Sequence, residues 1–194
     1  MNDDPYVYPG TSVLRNKLGL TEAARLEAFE RQMVAQRLAE NIPTGAFDLA
    51  HLCAIHRHLF QDVYDWAGEV RTIELSKGGH QFMFRQFIER GMADVARRVA
   101  AERPYEGLSV PDFAAKAGSI LGDVNYVHPF REGNGRTQLQ FLKQLCRAAG
   151  RRLDLRQINP EQWLAASRSA HDANYEAMSN AISDAINRSD EPPL

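Results

Sequence analysis

Cysteine, charge of a single sign and long apolar runs are all scarce in this chain of 194 residues. The two cysteines, Cys53 and Cys146, stand far apart and lack the spacing of metal ligands. This excludes a disulfide framework and indicates two small buried hydrophobes in a reducing compartment. The formal net charge is only -2, which gives no electrostatic basis for direct nucleic-acid binding.

The sequence also lacks the marks of a membrane protein. No apolar run approaches the ~20 residues of a membrane span, and the N-terminal sequence Met-Asn-Asp-Asp-Pro is acidic, unlike a secretory signal peptide. We therefore expect no membrane partner and a cytoplasmic location. Export by a route that reads other signals is the alternative.

Composition and periodicity predict one mainly α-helical domain, residues 1–194. Hydrophobic residues make up 44% and charged residues 25% of the chain, which is typical of a globular protein. Thr21 and Ser109 are predicted N-caps, Gly150 is a predicted helix stop, and the tail 188–194 is expected to be flexible. Apolar side chains recur at helical spacing in six segments: 21–40, 48–60, 86–102, 110–127, 135–149 and 160–187.

Residues 70–84 depart from the helical pattern. Apolar and polar side chains alternate in the first segment, Val70-Arg-Thr-Ile-Glu-Leu75. A turn is predicted at Ser-Lys-Gly-Gly, and the second strand is predicted at His80-Gln-Phe-Met-Phe84. This pattern predicts a β-hairpin. Because an isolated two-stranded hairpin is only marginally stable, we expect it to rest on the helices, near something that it helps to bind.

The segment from His128 to Arg136, His-Pro-Phe-Arg-Glu-Gly-Asn-Gly-Arg, concentrates the groups that a metal-bound nucleotide needs. Its glycines allow backbone N–H groups to approach an anion closely, and a helix that begins near Gly135 would present its positive end to phosphate. Glu132 is suited to hold Mg²⁺, Arg136 to neutralise a phosphate and His128 to accept a proton from a hydroxyl. The motif loop, residues 128–136, is therefore the candidate nucleotide site.

Each residue of the motif loop also has a structural interpretation. His128 could cap the carbonyls of the preceding helix, Glu132 could be an exposed surface acid, and the Gly-Asn-Gly stretch at 133–135 could be a plain turn. The combination favours a nucleotide site, because a cation such as Arg136 in the first turn of a helix opposes the helix dipole unless an anion is bound there. Phe130 is predicted to be a buried anchor for the loop.

The motif resembles that of the Fic family of nucleotidyl transferases, His-x-Phe-x-Asp/Glu-Gly-Asn-Gly-Arg, at every constrained position. The resemblance covers residues 6–175: Tyr6-Val-Tyr-Pro-Gly-Thr11 is similar to the N-terminal signature of bacterial Fic toxins and effectors, and the hairpin at 73–82 is similar to the family's flap. It implies a helical bundle that transfers AMP from ATP, with Mg²⁺, to a Tyr, Thr or Ser hydroxyl of a target protein. Gly135 argues against the family's phosphorylating branch, which has a lysine in the corresponding place.

The resemblance also implies a role for each residue of the site. His128 would be the general base and Glu132 the Mg²⁺ ligand. The hairpin would align the target by strand addition, and its turn would lie over the nucleotide. The residues implied to bind nucleotide are Lys77, Gly78, Arg131, Gly133, Asn134, Gly135 and Arg136, and those implied to dock the target are Ile73, Glu74, Leu75 and Ser76.

Two departures from the family bear on this function. The family motif continues Gly-Arg-x-x-Arg, but Leu139 stands at the position of the second arginine. In the family that arginine holds the terminal phosphates, so Leu139 predicts either reduced or altered activity or a leucine that simply extends the buried stripe Leu142, Leu145 and Ala149. The family's inhibitory motif, Ser/Thr-x-x-x-Glu-Gly/Asn, is missing, so the chain resembles the subgroup that a separate small antitoxin restrains.

Three functions follow from the resemblance and its departures. The leading one is a protein adenylyltransferase that acts as a toxin or effector, and the family's toxins make type II topoisomerases the first candidate target. The second is a degenerate Fic module that binds nucleotide or a partner with little turnover. The third is an enzyme of the same fold that transfers another group, such as UMP or phosphocholine.

Two other clusters are weaker candidates for a site. One is a group on a single predicted helix: His51, Cys53, His56 and His58. A zinc site there would need a further carboxylate or thiolate, so surface and core histidines are the favoured interpretation. The other is a basic run: Arg147, Arg151, Arg152 and Arg156. It could contact phosphate or an acidic partner, although a solvated face is favoured.

Overall fold

One central helix organises the protein and carries the motif loop at its end. The computed structural model describes residues 4–101 and 105–190, with side chains as far as residue 186. Within these residues there are seven α-helices and one antiparallel two-stranded sheet, which confirms the prediction of a mainly helical fold with a short hairpin. The elements are α1 Ala23–Leu38, α2 Leu49–Phe60, β1 Ser76–Lys77, β2 His80–Gln81, α3 Ile88–Ala101, α4 Val110–Val127, α5 Asn134–Ala148, α6 Pro160–Ser169 and α7 Glu176–Asp190.

The core surrounds α4, which contacts α3, α5 and α7, while α2 packs on α1 and α5. The apolar stripes that predicted these helices are excluded from solvent, and each such side chain contributes about 1.5–3 kcal/mol by burial. Side chains with no exposed area include Leu52, Ile55, Leu59, Val124, Phe141, Leu142 and Leu145. Burial on three sides fixes the direction of α4, and with it the position of residue 128 just beyond its last turn.

Glycine lets α4 and α7 approach closely. A Cβ atom at Gly118 would lie 2.3 Å from Ser179 Oγ, and one at Gly122 would lie 2.4 Å from the ring of Tyr175. The hydroxyl of Tyr175 donates to Asp123 Oδ1 at 2.6 Å. The two glycines therefore allow the start of α7 to lie directly on the backbone of α4.

Most helix ends agree with the sequence prediction. Ser109 caps α4 by accepting from the N–H of Asp112, as predicted, and Gly150 follows α5 with a φ of +72°. The predicted cap at Thr21 is wrong, because α1 begins after Glu22, and no side chain caps it. Residues 85–87 form a 3₁₀ turn before α3, and the end of the predicted helix 86–102 lies partly outside the described residues.

The predicted continuous helix 160–187 is wrong. The chain forms α6, a 3₁₀ turn at Ala170–Asp172 and then α7. Ala173 has a φ of +56°, and the side chain of Asn174 accepts from the N–H of Glu176, which starts the new helix. Tertiary contact decides this break, because it brings the Tyr175 ring against Gly122 of α4.

The predicted hairpin 70–84 is present, but its ladder is shorter than predicted. Only Ser76–Lys77 and His80–Gln81 form strands, with Ser76 opposite Gln81 and Lys77 opposite His80. The N–H of Arg71 donates to the carbonyl of Pro129 at 2.8 Å, and that of Met83 to the carbonyl of Tyr126 at 3.0 Å. The base of the hairpin therefore pairs with the end of α4 and the motif loop instead of with itself.

The C-terminal tail was expected to be flexible from residue 188. Helix α7 instead continues to Asp190, and the rest of the predicted tail, 191–194, lies outside the described residues. None of the helices in the described ranges combines the length and the apolar character that crossing a bilayer requires.

Candidate active site

A cavity of about 1010 Å³ opens beside the motif loop. The hairpin forms one wall with Lys77 and Phe82, and the end of α4 contributes His128. The first turn of α5 contributes Gly135, and α6 contributes Trp163. The cavity therefore lies where four segments that are distant in sequence converge.

His128 is held at the end of α4 with one ring nitrogen free. Its backbone is left-handed, with φ 47° and ψ 60°, and its N–H donates to the carbonyl of Val124. Ring atom Nδ1 lies 3.1 Å from the carbonyl oxygen of Asn125. A carbonyl only accepts, so Nδ1 carries the proton and Nε2 keeps its lone pair. The ring thus caps the helix and still offers an acceptor.

The surroundings of His128 keep the imidazole neutral. The ring of Phe82 stacks on it, with centroids 3.7 Å apart and planes at 14°. Burial lowers the pKa of His128 to about 4, and the positive charges of Arg71 and Lys77 and the nearby His171 act in the same direction. A neutral imidazole at physiological pH is the form that can accept a proton.

The motif loop is locked by its own side chains. Phe130 is completely buried, as predicted. Asn134 Oδ1 accepts from the N–H of Phe130 at 3.0 Å, and its Nδ2 donates to the carbonyl of Phe130 at 2.7 Å. His56 Nδ1 accepts from the N–H of Gly68, so its Nε2 donates to the carbonyl of Glu132 at 2.9 Å. The side chain of Asn134 therefore holds the loop, while the residue also borders the cavity.

The first turn of α5 presents free backbone donors to the cavity. Gly133, the N-cap, has a φ of +81°, and a Cβ there would lie 2.4 Å from the ring of Phe60. No side chain caps the helix. Within the described residues, the N–H groups of Gly135 and Arg136 have no protein acceptor. Space around Gly135 is open, with nothing within 4 Å of a Cβ placed there, so an anion can approach these donors.

The charged residues of the motif loop differ in their surroundings. Glu132 lines the cavity, and its Oε1 accepts from the N–H of Gly133 at 2.9 Å. Arg131 also lines the cavity, and its guanidinium binds Asp4 Oδ2 at 2.9 Å. Gly133 and Arg136 do not border the cavity.

Arg136 instead turns towards α1. Its Nη1 pairs with Glu30 Oε1 at 2.6 Å, and its guanidinium lies 4.6 Å from the centroid of the Phe60 ring. Glu30 also accepts a hydrogen bond from the hydroxyl of Tyr64. Nη2 of Arg136 lies 3.6 Å from Glu132 Oε1. The predicted contact between Arg136 and a phosphate therefore requires the side chain to turn from Glu30 or to share its donors.

The tip of the hairpin covers the cavity mouth. Gly78 and Gly79 both have positive φ, 59° and 84°, which is the type I′ turn that two-residue hairpins favour. Lys77, Gly78, Leu75 and Ser76 border the cavity. Two other predicted flap residues, Ile73 and Glu74, lie at the base of the hairpin and do not border it.

The far wall of the cavity is apolar and comes from segments in which no sequence motif indicated a function. Leu155, Ile158, Trp163 and Leu164 line it, and they belong to the region between α5 and the middle of α6. Leu139, which replaces the second arginine of the family motif, also borders the cavity and is only partly buried. The position of that arginine therefore faces the ligand space instead of the sealed core.

The histidine cluster of α2 is engaged by other parts of the protein. His51 Nε2 bonds Gln144, His58 Nε2 bonds the carbonyl of Arg37, and His56 holds the motif loop. Within the described residues, no three metal-ligating side chains are grouped as a metal site. Burial raises the pKa of Cys53 to about 11, so this thiol is a poor ligand at neutral pH.

The basic run does not form one solvated face. Arg151 donates to the carbonyl of Leu108 and lies 5.1 Å from the centroid of the Phe113 ring. Arg156 pairs with Asp154 at 2.6 Å. The first of these two arginines therefore belongs to the packing of the bundle, which corrects the sequence interpretation, whereas the second remains on the surface.

Comparisons with known proteins agree with this geometry. A protein of Sinorhizobium fredii named a probable protein adenylyltransferase is 43% identical over 84% of this chain and 85% of its own length. A probable protein adenylyltransferase of Salmonella typhimurium is 35% identical over 97% of this chain and 94% of its own. The N-terminal Fic domain of a translocated effector from Bartonella quintana, solved with bound ADP, is 30% identical with a TM-score of 0.85, covering 93% of this chain and 94% of that one. The family profile described as Fic/DOC matches residues 46–146. The chain therefore belongs to the Fic/DOC family.

Proposed function

We propose that this chain is a protein adenylyltransferase, which transfers AMP from ATP to a hydroxyl side chain of a target protein. The observation that carries the proposal is the state of His128, a neutral imidazole with Nε2 free beside the exposed N-terminus of α5. A proton acceptor next to an anion site is what attack of a hydroxyl on a phosphate requires. The two relatives named above are both named adenylyltransferases.

The reaction assigns a separate task to each part of the site. The target hydroxyl gives its proton to Nε2 of His128 as its oxygen bonds the α-phosphorus of ATP. The bond from the α-phosphorus to the bridging oxygen of the β-phosphate breaks, and pyrophosphate leaves. The free N–H of Gly135, which borders the cavity, stabilises the negative charge on the phosphate oxygens in the transition state. Phe82 fixes the plane of the imidazole by stacking.

ATP fits the cavity by chemistry at both ends. Lys77 and the first turn of α5 supply positive charge and N–H donors for the phosphates. Leu155, Ile158 and Trp163 supply an apolar wall for the adenine base. The Fic domain from Bartonella quintana was solved with ADP bound, which supports a nucleotide as the ligand.

Mg²⁺ fits this site as an ion held chiefly by the nucleotide. Magnesium in nucleotide sites is commonly bound through one or two carboxylates together with substrate phosphates. Glu132 provides one such carboxylate, with 48% of its side chain exposed and its position on the cavity wall. When bound, the ion would neutralise phosphate charge, and Glu132 would be its protein ligand.

Strand addition at the flap is the proposed way to dock the target. Because Phe82 N–H donates to the carbonyl of Leu75 at 3.0 Å, the alternation of an antiparallel ladder turns the N–H and C=O of Ser76 away from β2. A target strand can pair with that edge. We propose a protein with a Tyr, Thr or Ser hydroxyl as the target, with type II topoisomerases as the first candidate.

The proposal also covers how the activity is inhibited and where the protein is located. The sequence lacks the inhibitory motif Ser/Thr-x-x-x-Glu-Gly/Asn, so we propose a separate small antitoxin as the partner that restrains a toxin of this kind. The proposed location is the cytoplasm. Because the Bartonella quintana neighbour is described as a translocated effector, export into another cell is the alternative location.

The experiment that tests the function is transfer of label from α-labelled ATP to proteins of a bacterial lysate with Mg²⁺. His128→Ala should abolish labelling while Mg–ADP binding stays close to that of the wild type. Label from UTP in place of ATP would support the alternative transfer of UMP. Binding of Mg–ADP with no labelling by the wild-type protein would favour the degenerate module, and labelling by His128→Ala at the wild-type rate would refute the assigned base.

A further inference from the structure

Arg71 is a buried arginine to which the sequence pattern assigned no role. Its side chain has no exposed area. Its guanidinium donates to backbone carbonyls from two regions, to Ile73 at 2.6 Å and Met83 at 2.5 Å in the hairpin, and to His128 at 2.8 Å in the motif loop. Its own N–H donates to the carbonyl of Pro129. One residue therefore bonds both ends of the hairpin and the catalytic loop.

Stability alone does not explain a charge at this position. Burying a guanidinium is costly unless it is well paired. The nearest carboxylate, Glu74 Oε2, lies 3.5 Å from Arg71 Nη1, and its side chain is 42% exposed. The other partners are neutral carbonyls. A hydrophobic side chain of similar volume would avoid the cost of burying a charge but would leave the carbonyls of Ile73, Met83 and His128 without their donor. Only the planar fork of arginine donates to several carbonyls in fixed directions.

The segments that Arg71 joins are the ones that must stay aligned for transfer. His128 has a left-handed backbone, which is unfavourable for a residue with a Cβ, and the Arg71 Nε bond holds its carbonyl. The hairpin supplies Phe82, whose ring stacks on the imidazole, and the edge at Ser76. A shift of the hairpin would therefore displace both the stacking ring and the docking edge relative to Nε2 of His128.

We propose that Arg71 is a positioning residue that fixes the flap hairpin and His128 in one geometry, so that a hydroxyl presented at the flap meets the base. This inference rests on the proposed function, because the geometry matters for transfer from ATP to a docked target. Most of the groups assigned to nucleotide binding, namely the first turn of α5 and the apolar wall, lie outside the hairpin, and Lys77 is the one that the hairpin supplies. Arg71 should therefore affect the chemical step much more than the affinity for nucleotide.

The test compares Arg71→Lys and Arg71→Met with Arg98→Met. Lysine keeps the charge but loses the fork, and methionine loses both. Arg98 is the matched control, because its guanidinium bonds Asp123 and Ser119 away from the cavity. Four quantities are measured for each protein: the melting temperature, Mg–ADP affinity, the rate of label transfer to lysate proteins at saturating ATP, and amide hydrogen exchange.

Both Arg71 variants should lose transfer by about 100-fold, the effect of a misplacement of ~1 Å at the reacting groups, while Mg–ADP affinity changes little. Exchange should become faster at the amides of Phe82 and Met83 but not in α7. Arg98→Met should show neither effect at a comparable melting temperature. If Arg71→Met does not fold, Arg71→Lys is judged by the same criteria.

Three results would overturn the inference. The first is a wild-type transfer rate in a folded Arg71 variant, and the second is unchanged hydrogen exchange at the amides of Phe82 and Met83. The third is a loss of Mg–ADP binding that is proportional to the drop in melting temperature in the Arg71 and Arg98 variants alike. The exchange experiment needs no target, so it can overturn the inference even if no lysate protein is labelled. Transfer that survives in His128→Ala would instead refute the proposed function.

Discussion

The mechanism that we propose depends on the protonation state of one imidazole, that of His128. His128 Nδ1 is tied to the carbonyl of Asn125, and burial lowers the pKa of the ring to about 4. A capping role and a role as base are compatible here, because each uses a different ring nitrogen. His56 differs, because both of its ring nitrogens are bonded within the protein and neither remains for chemistry.

The pH profile of transfer should reflect this lowered pKa. The base form of His128 is present above its folded pKa and is lost as the pH falls through about 4, so the rate should be nearly constant from about pH 5 upwards as far as this group decides it. The measurement is the transfer rate at saturating ATP over a pH series, with Mg–ADP affinity determined at each pH as the control for phosphate titration. A midpoint near the ordinary value of 6.5 would show that the ring is more exposed to solvent than the structure indicates.

Leu139 is the residue at which the chain departs from the family motif, and it borders the cavity. Leu139→Arg should tighten ATP relative to AMP by about 1–3 kcal/mol, the value of a charge-assisted contact to the terminal phosphate. Titration calorimetry with both nucleotides measures this difference. Leu139→Met is the matched control, because it keeps an apolar side chain of similar volume. If a folded Leu139→Arg variant binds both nucleotides as the wild type does, another residue already occupies that role.

Among the elements, the hairpin and the first turn of α5 are the ones that approach the ligand space. The hairpin is anchored at its base through Arg71 and Met83, and its type I′ tip projects over the cavity. The first turn of α5 is anchored by the loop that Asn134 closes. Both elements therefore combine a fixed base with polar backbone groups directed outwards, which suits recognition of a ligand and a target strand.

Ser76 provides a direct test of strand addition at the hairpin. Ser76→Pro removes the N–H that points away from β2, and proline is tolerated at such an outward position of an edge strand. Target labelling should be lost while Mg–ADP affinity is unchanged. Ser76→Ala keeps the N–H and should label like the wild type. Equal losses in both variants would assign the effect to the side chain, and unaltered labelling by Ser76→Pro would exclude main-chain pairing at this residue.

At the scale of the whole molecule, α4 links the core to His128, the proposed base. The same helix that packs on α3, α5 and α7 ends at His128. Its close contact with α7 depends on Gly118 and Gly122. Because protein interiors are tightly packed, a change in this contact is expected to lower global stability and to shift neighbouring side chains along α4.

Gly118→Ala should lower the melting temperature. The new Cβ would lie 2.3 Å from Ser179 Oγ and 2.9 Å from its backbone N, and overpacking of this kind costs about 1–3 kcal/mol, more than the ~1 kcal/mol that alanine gains over glycine in a helix. Thermal unfolding by circular dichroism measures the result. Gly135→Ala, with open space at its Cβ, is the control and should not lower the melting temperature. A Gly118→Ala protein that melts at or above the wild-type temperature would mean that α7 moves away from the new Cβ without loss of stability.

The helical bundle, the motif loop and the identities of its chemical groups follow from the sequence alone. Apolar periodicity identified α4 and α5, because one face of each is buried along its length. The requirements for Gly133 and for the left-handed turn of the flap are also local, since backbone conformation restricts which residues fit. His128 and Glu132 were therefore identifiable from their own segment, whereas Lys77 and Gly78 were assigned to the site by the resemblance to the Fic family.

Which distant residues contact one another depends on how the elements pack together. Nothing local to residue 71 indicates that its guanidinium reaches the carbonyls of Met83 and His128, and nothing local to Glu30 indicates its pairing with Arg136. The break between α6 and α7 follows from the contact of Tyr175 with Gly122. Long side chains reach across several ångströms in directions that depend on helix packing, so these contacts form only when the elements assemble. The motif, in contrast, is a run of neighbouring residues and can be read from the sequence.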